Sequence, residues 1–94
     1  MITRAQRRNG LIAELRLRRK YRITLGTIFL AARELRDDDV IDSECNHAEA
    51  ASLIVSHILA DNPKLVSTVG FDFDELLKWI ELLMPLIMLL ISLF

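Results

Sequence analysis

The sequence predicts an all-α protein, a small bundle of three to five helices closed by a long, proline-bent, apolar C-terminal helix. Three observations carry that prediction. The 94 residues are 52% hydrophobic with only 3 Gly and 2 Pro, a composition that suits helices and leaves few turns. Apolar residues in the middle of the chain recur at three- and four-residue spacing. The chain closes on KWIELLMPLIMLLISLF, Lys78 to Phe94, one-sided in its apolar residues at first and apolar all round from Leu82. At this length one domain is expected, residues 1–94, read as a basic arm (1–22), a helical core (23–70) and the apolar helix (71–94).

The first helix starts on Thr3-Arg4-Ala5-Gln6, a capping box in which the glutamine stands three residues after the cap. Its wheel is untidy. Leu11 and Leu15 fall on the side of Arg4, Arg7, Arg18 and Arg22, so no clean apolar stripe forms. Residues 3–20 read as a basic helix or arm that orders against something else. In the next segment Leu25, Ile28, Phe29, Ala32 and Leu35 mark an amphipathic helix. The run Asp37 to Asp39 ends it, because adjacent carboxylates oppose the dipole at a helix C-terminus.

A third helix is expected after Asn46, with Glu49 three residues on and Ser43 as an alternative cap. Ala48, Ala51, Ser52, Val55, Ile58 and Leu59 would line its buried face. Asp61-Asn62-Pro63 stops it, a short helical turn follows through Val69, and Gly70 stops that turn. The last helix has the clearest start. Asp72 caps it, Glu75 returns the bond from the third position, and Phe71 can staple onto Leu76. Phe73, Leu76, Leu77 and Ile80 share one face. From Leu82 the helix is apolar all round except for Ser92.

Length limits what that end can be. Leu82 to Phe94 is 13 residues, about 20 Å of helix at ~1.5 Å per residue, against ~30 Å of bilayer hydrocarbon. Starting at Phe73 reaches far enough but carries Asp74, Glu75, Lys78 and Glu81 inward, and charges at mid-membrane cost roughly 2.5–3.5 kcal/mol each. Pro85 removes the hydrogen bond to the Glu81 carbonyl and bends the helix there. The expectation is that the first half docks on its own domain while the second half leaves it. Leu82, Leu83, Leu86, Ile87, Leu90, Ile91 and Phe94 then form a seam with other chains.

Charge is divided along the chain. Residues 1–36 hold ten basic residues and two acids, a net +8, while residues 37–94 hold two lysines and eleven acids, a net −9. RLRRKYR, with RAQRR upstream, makes Arg4, Arg7, Arg8, Arg16, Arg18, Arg19, Lys20 and Arg22 the candidate anion-binding set, for nucleic acid or an acidic partner.

No residue pattern points to catalysis or to a metal. Cys45 and His47 are two apart and fall on opposite sides of any helix they share, and there is no second cysteine. His57 and Asp61 stand four apart, as a base and its orienter do, but no nucleophile shares their face. Laid on a calcium loop from Asp37, the acidic run places Asp42 where glycine is required and Ala48 where the bidentate glutamate belongs.

A lone cysteine fits a reducing compartment, and the first 22 residues lack the apolar segment of a secretory signal. The setting expected is therefore cytoplasmic or within a virion. The function expected is that of a non-enzymatic structural subunit without cofactor. It would oligomerise through the apolar helix and bind an acidic partner or nucleic acid through the basic arm, as a phage component does. Two alternatives stand beside it. One is a small membrane-associated anchor or lysis factor, with its charge bias positive-inside. The other is a nucleic-acid-binding regulator.

Overall fold

Four α-helices and one 3-10 turn make up the computed structural model, which describes residues 2–42 and 44–93. They run α1 (Arg4–Tyr21), α2 (Leu25–Asp37), α3 (His47–Asp61), a 3-10 turn (Pro63–Ser67) and α4 (Phe73–Leu93). The shortest principal extent is 19 Å, the depth of two helix layers at ~10–12 Å each.

Local chemistry sets the starts. Thr3 Oγ1 accepts from the Gln6 N–H at 3.1 Å and Gln6 Oε1 accepts from the Thr3 N–H at 3.0 Å, the reciprocal box the sequence predicts. Asn46 Oδ1 accepts from the N–H groups of Ala48 and Glu49; Ser43, the alternative cap, lies outside the described residues. Asp72 Oδ1 accepts from Asp74 and Glu75 N–H. Glu75 does not return that bond, because its carboxylate is drawn instead to Lys20 Nζ at 2.8 Å. The 3-10 segment ends at Ser67, capped by Thr68, short of the expected end at Val69. Gly70 instead lies in the turn leading to α4, at φ +76°, a conformation open to glycine without steric cost. Asp37 is the last residue of α2, and Asp38 and Asp39 belong to the loop, Asp39 at φ 59°.

Helix α4 is the hub, packed on α1, α2 and α3 alike. Leu76, Ile80, Leu83, Met84, Ile87 and Ile91 are buried along one side of it, spaced at three and four residues through both halves. This corrects the expectation that the second half leaves the domain. The helix continues past Pro85, and its last turn is fastened from α2, where the Arg36 guanidinium donates to the Ile91 carbonyl. Ile91 lies in the last turn of α4, where helix carbonyls run out of intrahelical donors, and α4 has no basic residue in that turn; Arg36 supplies both a donor and the charge.

Helix α1 buries Gly10, Ala13, Leu17 and Tyr21, the last three at four-residue spacing. Two of the four are small, which explains why hydropathy shows no stripe here. The small side chains bring the α1 backbone close to α4: a Cβ on Gly10 would lie 3.6 Å from Leu83 Cδ2. Helix α3 buries Ala50, Ala51, Ile54, Val55 and Ile58, a face turned from the predicted one. Ala48 is exposed, and Ser52 and Leu59 are half-buried. Apolar residues surround most of this helix, so periodicity alone leaves its orientation open. In α2, Ile28 and Ala32 are buried as predicted, with Ala31, and Leu25, Phe29 and Leu35 flank them. Ile23, Ile41 and Leu65 plug the bundle from its loops and turn.

Candidate functional site

Packing α1 through Gly10, Ala13, Leu17 and Tyr21 fixes what its opposite side presents. At 100° per residue, Arg4, Arg8, Leu11, Ile12, Leu15 and Arg19 lie around the line facing away from α4. Leu11, Ile12 and Leu15 are 54%, 43% and 47% exposed. All eight basic residues singled out in the sequence are exposed, and they divide by what holds them.

Three are tied down within the chain. Arg18 meets Glu14 one turn back at 2.6 Å. The Arg16 guanidinium sits 5.9 Å from the centre of the Trp79 ring, within cation–π range. Lys20 bonds Glu75 and lies 5.4 Å from the Tyr21 ring. The hydrogen bond to Glu75 holds the Lys20 ammonium above its ordinary range, and the same bond holds the Glu75 carboxyl below its own. Tyr21 completes this corner: its hydroxyl accepts from the Asp72 N–H at 3.3 Å and its ring packs edge-on against Phe71 at 6.0 Å. Arg4, Arg7, Arg8, Arg19 and Arg22 make no ion pair among the described residues. Of these, Arg4, Arg8 and Arg19 share the outer face with Leu11, Ile12 and Leu15.

The predicted seam on α4 is divided between the core and the surface. Leu83, Ile87 and Ile91 are buried in this chain's own core, and Leu82, Leu86 and Leu90 are half-buried. Phe94 lies outside the described residues. The apolar side chains α4 leaves open near its end are Leu89 and Leu93, which are not in the predicted set. By length and composition α4 also qualifies as a membrane-crossing helix, with 21 residues and a mean hydropathy of 2.1 over its most apolar window. A third of that window is buried within this fold.

The histidines and the cysteine separate. Cys45 is half-buried, and burial, then the charges of Glu49 and Asp42, push its thiol up, away from thiolate chemistry. His47 is exposed on the first turn of α3. His57 faces α2, where its Nε2 lies 2.6 Å from Glu34 Oε2 and 3.5 Å from Asp61 Oδ2. The sequence paired His57 with Asp61 through helical spacing; Glu34, 23 residues earlier, carried no signal, because only the α2–α3 packing brings it there. These three residues edge a groove of about 710 Å³ between the C-terminal end of α1, α2, the end of α3 and the 3-10 turn, where Arg19, Arg22 and Lys64 also lie.

Comparison with protein-family models, curated proteins and solved structures returns no match for this chain.

Proposed function

We propose that this chain is a non-enzymatic assembly subunit that associates head to tail, the outer face of α1 on one copy docking against the acidic α2–α3 connection of the next. The observation that carries this reading is the exposure of Leu11, Ile12 and Leu15 among unpaired arginines on a helix whose other side is already packed. An apolar cluster rimmed by like charge is shaped for a partner that offers apolar contact and opposite charge together.

The same chain carries such a surface. Asp37, Asp38, Asp39, Asp42, Glu44 and Glu49 are exposed around the α2–α3 connection, and Val40 is 47% exposed among them. Two α1 faces would repel each other, so the contact pairs unlike surfaces, and head-to-tail contacts of that kind build rings or filaments. Nucleic acid is the weaker fit, since a phosphate backbone has no apolar counterpart for three leucine-sized side chains. A lipid surface fits less well too. Arg8 and Arg19 interrupt the apolar line, whereas in-plane helices present a broad apolar face.

Light scattering at rising salt tests the proposal. Wild type is expected to be oligomeric at low salt and to dissociate as salt screens the contact. Arg8→Glu with Arg19→Glu is expected to give monomers, and adding Asp38→Lys with Asp42→Lys to that chain should restore assembly. A wild type that is monomeric at every salt concentration overturns the reading, and sedimentation with anionic vesicles would then redirect it to lipid.

A further inference from the structure

We infer that Glu34, His57 and Asp61 form a surface site for a divalent transition-metal ion of the zinc type, joining α2 to the C-terminal end of α3. One imidazole nitrogen faces both carboxylates: His57 Nε2 is 2.6 Å from Glu34 Oε2 and 3.5 Å from Asp61 Oδ2. The three ligand atoms all lie within 4.8 Å of one another. Zinc bound at ~2.0–2.1 Å to nitrogen and ~2.0–2.2 Å to oxygen in tetrahedral geometry spaces its ligand atoms by about 3.3 Å. Measured from His57 Nε2, Asp61 Oδ2 stands close to that spacing and Glu34 Oε2 stands inside it. The two carboxylates lie within 4.8 Å of each other, so small rotations of exposed side chains bring the set to that geometry.

The chemistry of the set agrees. Two carboxylates neutralise a divalent charge, and imidazole selects zinc and its neighbours over calcium or magnesium. A proton on Nε2 serves Glu34 well, yet it leaves Asp61 beyond hydrogen-bond reach. The Asp61 carboxylate has no other charged partner among the described residues. A metal in place of that proton engages all three groups. His57 and Asp61 are one helical turn apart on α3 and so present their ligand atoms on one side, with Glu34 arriving from α2. Three protein ligands leave a fourth position for water, opening toward the groove.

Isothermal titration of the full-length chain with zinc sulfate tests the site, with cobalt absorption to report the geometry. One equivalent of metal is expected per chain, with tetrahedral cobalt bands and a rise in Tm on loading. His57→Ala is expected to weaken zinc binding by about 100-fold or more, since loss of an outer-shell partner alone costs roughly 10–100-fold. Glu34→Gln and Asp61→Asn should each weaken binding while the far-ultraviolet circular dichroism stays that of the wild type. His47→Ala with Cys45→Ser should leave it unchanged. Absence of binding by the folded wild type, or binding that survives His57→Ala, overturns the inference.

Discussion

Gly10 on α1 faces Leu83 on α4 with room for a methyl group: the missing Cβ would sit 3.6 Å from Leu83 Cδ2, an ordinary van der Waals separation. Gly10→Ala should therefore stabilise the fold by about 0.5–1 kcal/mol, the helix-propensity difference between the two residues. Gly10→Leu should destabilise it by ~1–3 kcal/mol through overpacking. Urea midpoints of the two variants, moving in opposite directions, check both statements. A large loss for the alanine variant would mean that the helices approach more closely than described.

Core and surface positions on α4 should separate sharply. Leu83→Ala and Ile87→Ala remove side chains that are fully buried and are expected to cost ~2–5 kcal/mol each. Leu93→Ala, at 68% exposure, should stay within about 0.5 kcal/mol. Equal, small effects at all three positions would return α4 to the role of an intermolecular seam.

Arg22 follows α1 in the left-handed region at φ 56°, where a side chain is strained and glycine is not. Arg22→Gly is expected to raise stability by up to about 1 kcal/mol, read from thermal unfolding at low protein concentration. The same substitution removes one unpaired cation, so its effect on assembly should be a modest shift to lower salt tolerance.

The Lys20–Glu75 pair predicts a pH signature. The Glu75 carboxyl is lowered by its bond to Lys20, so its contribution is present above the unfolded carboxyl range near ~4.3 and is lost as pH falls through the lower, folded value. The Lys20 ammonium is raised. Its contribution is present below ~10.4 and is lost as pH rises through the higher, folded value. Glu75→Gln should flatten both limbs when urea midpoints are measured across pH, and added salt should shrink the difference because the pair is partly exposed. An unchanged acid limb in the variant would show that other carboxylates set it.

Local rules were legible before any packing was known. Thr3-Gln6, Asn46 and Asp72 announce three helix starts because a cap is a contact between residues three apart or fewer. The spacing of Leu25, Ile28, Phe29, Ala32 and Leu35 gives the core-facing side of α2, Ile28 and Ala32 buried and the other three half-buried beside them. The all-α class, the element order and the long apolar final helix follow from such short-range chemistry, and so does the division of charge between the two parts of the chain.

What α4 is for could not be read the same way. An apolar end is equally greasy whether it meets lipid, another chain or its own domain, and only the arrangement of α1, α2 and α3 shows that Leu83, Ile87 and Ile91 are the side chains taken into its own core. Likewise Gly10 and Ala13, nearly silent in hydropathy, become the packed side of α1 because small residues let two backbones approach, which turns Leu11 and Leu15 outward. Glu34 joins His57 by the same route. Contacts within one helical turn are written in the order of residues; contacts between helices depend on rotation and depth, which nearby sequence does not encode.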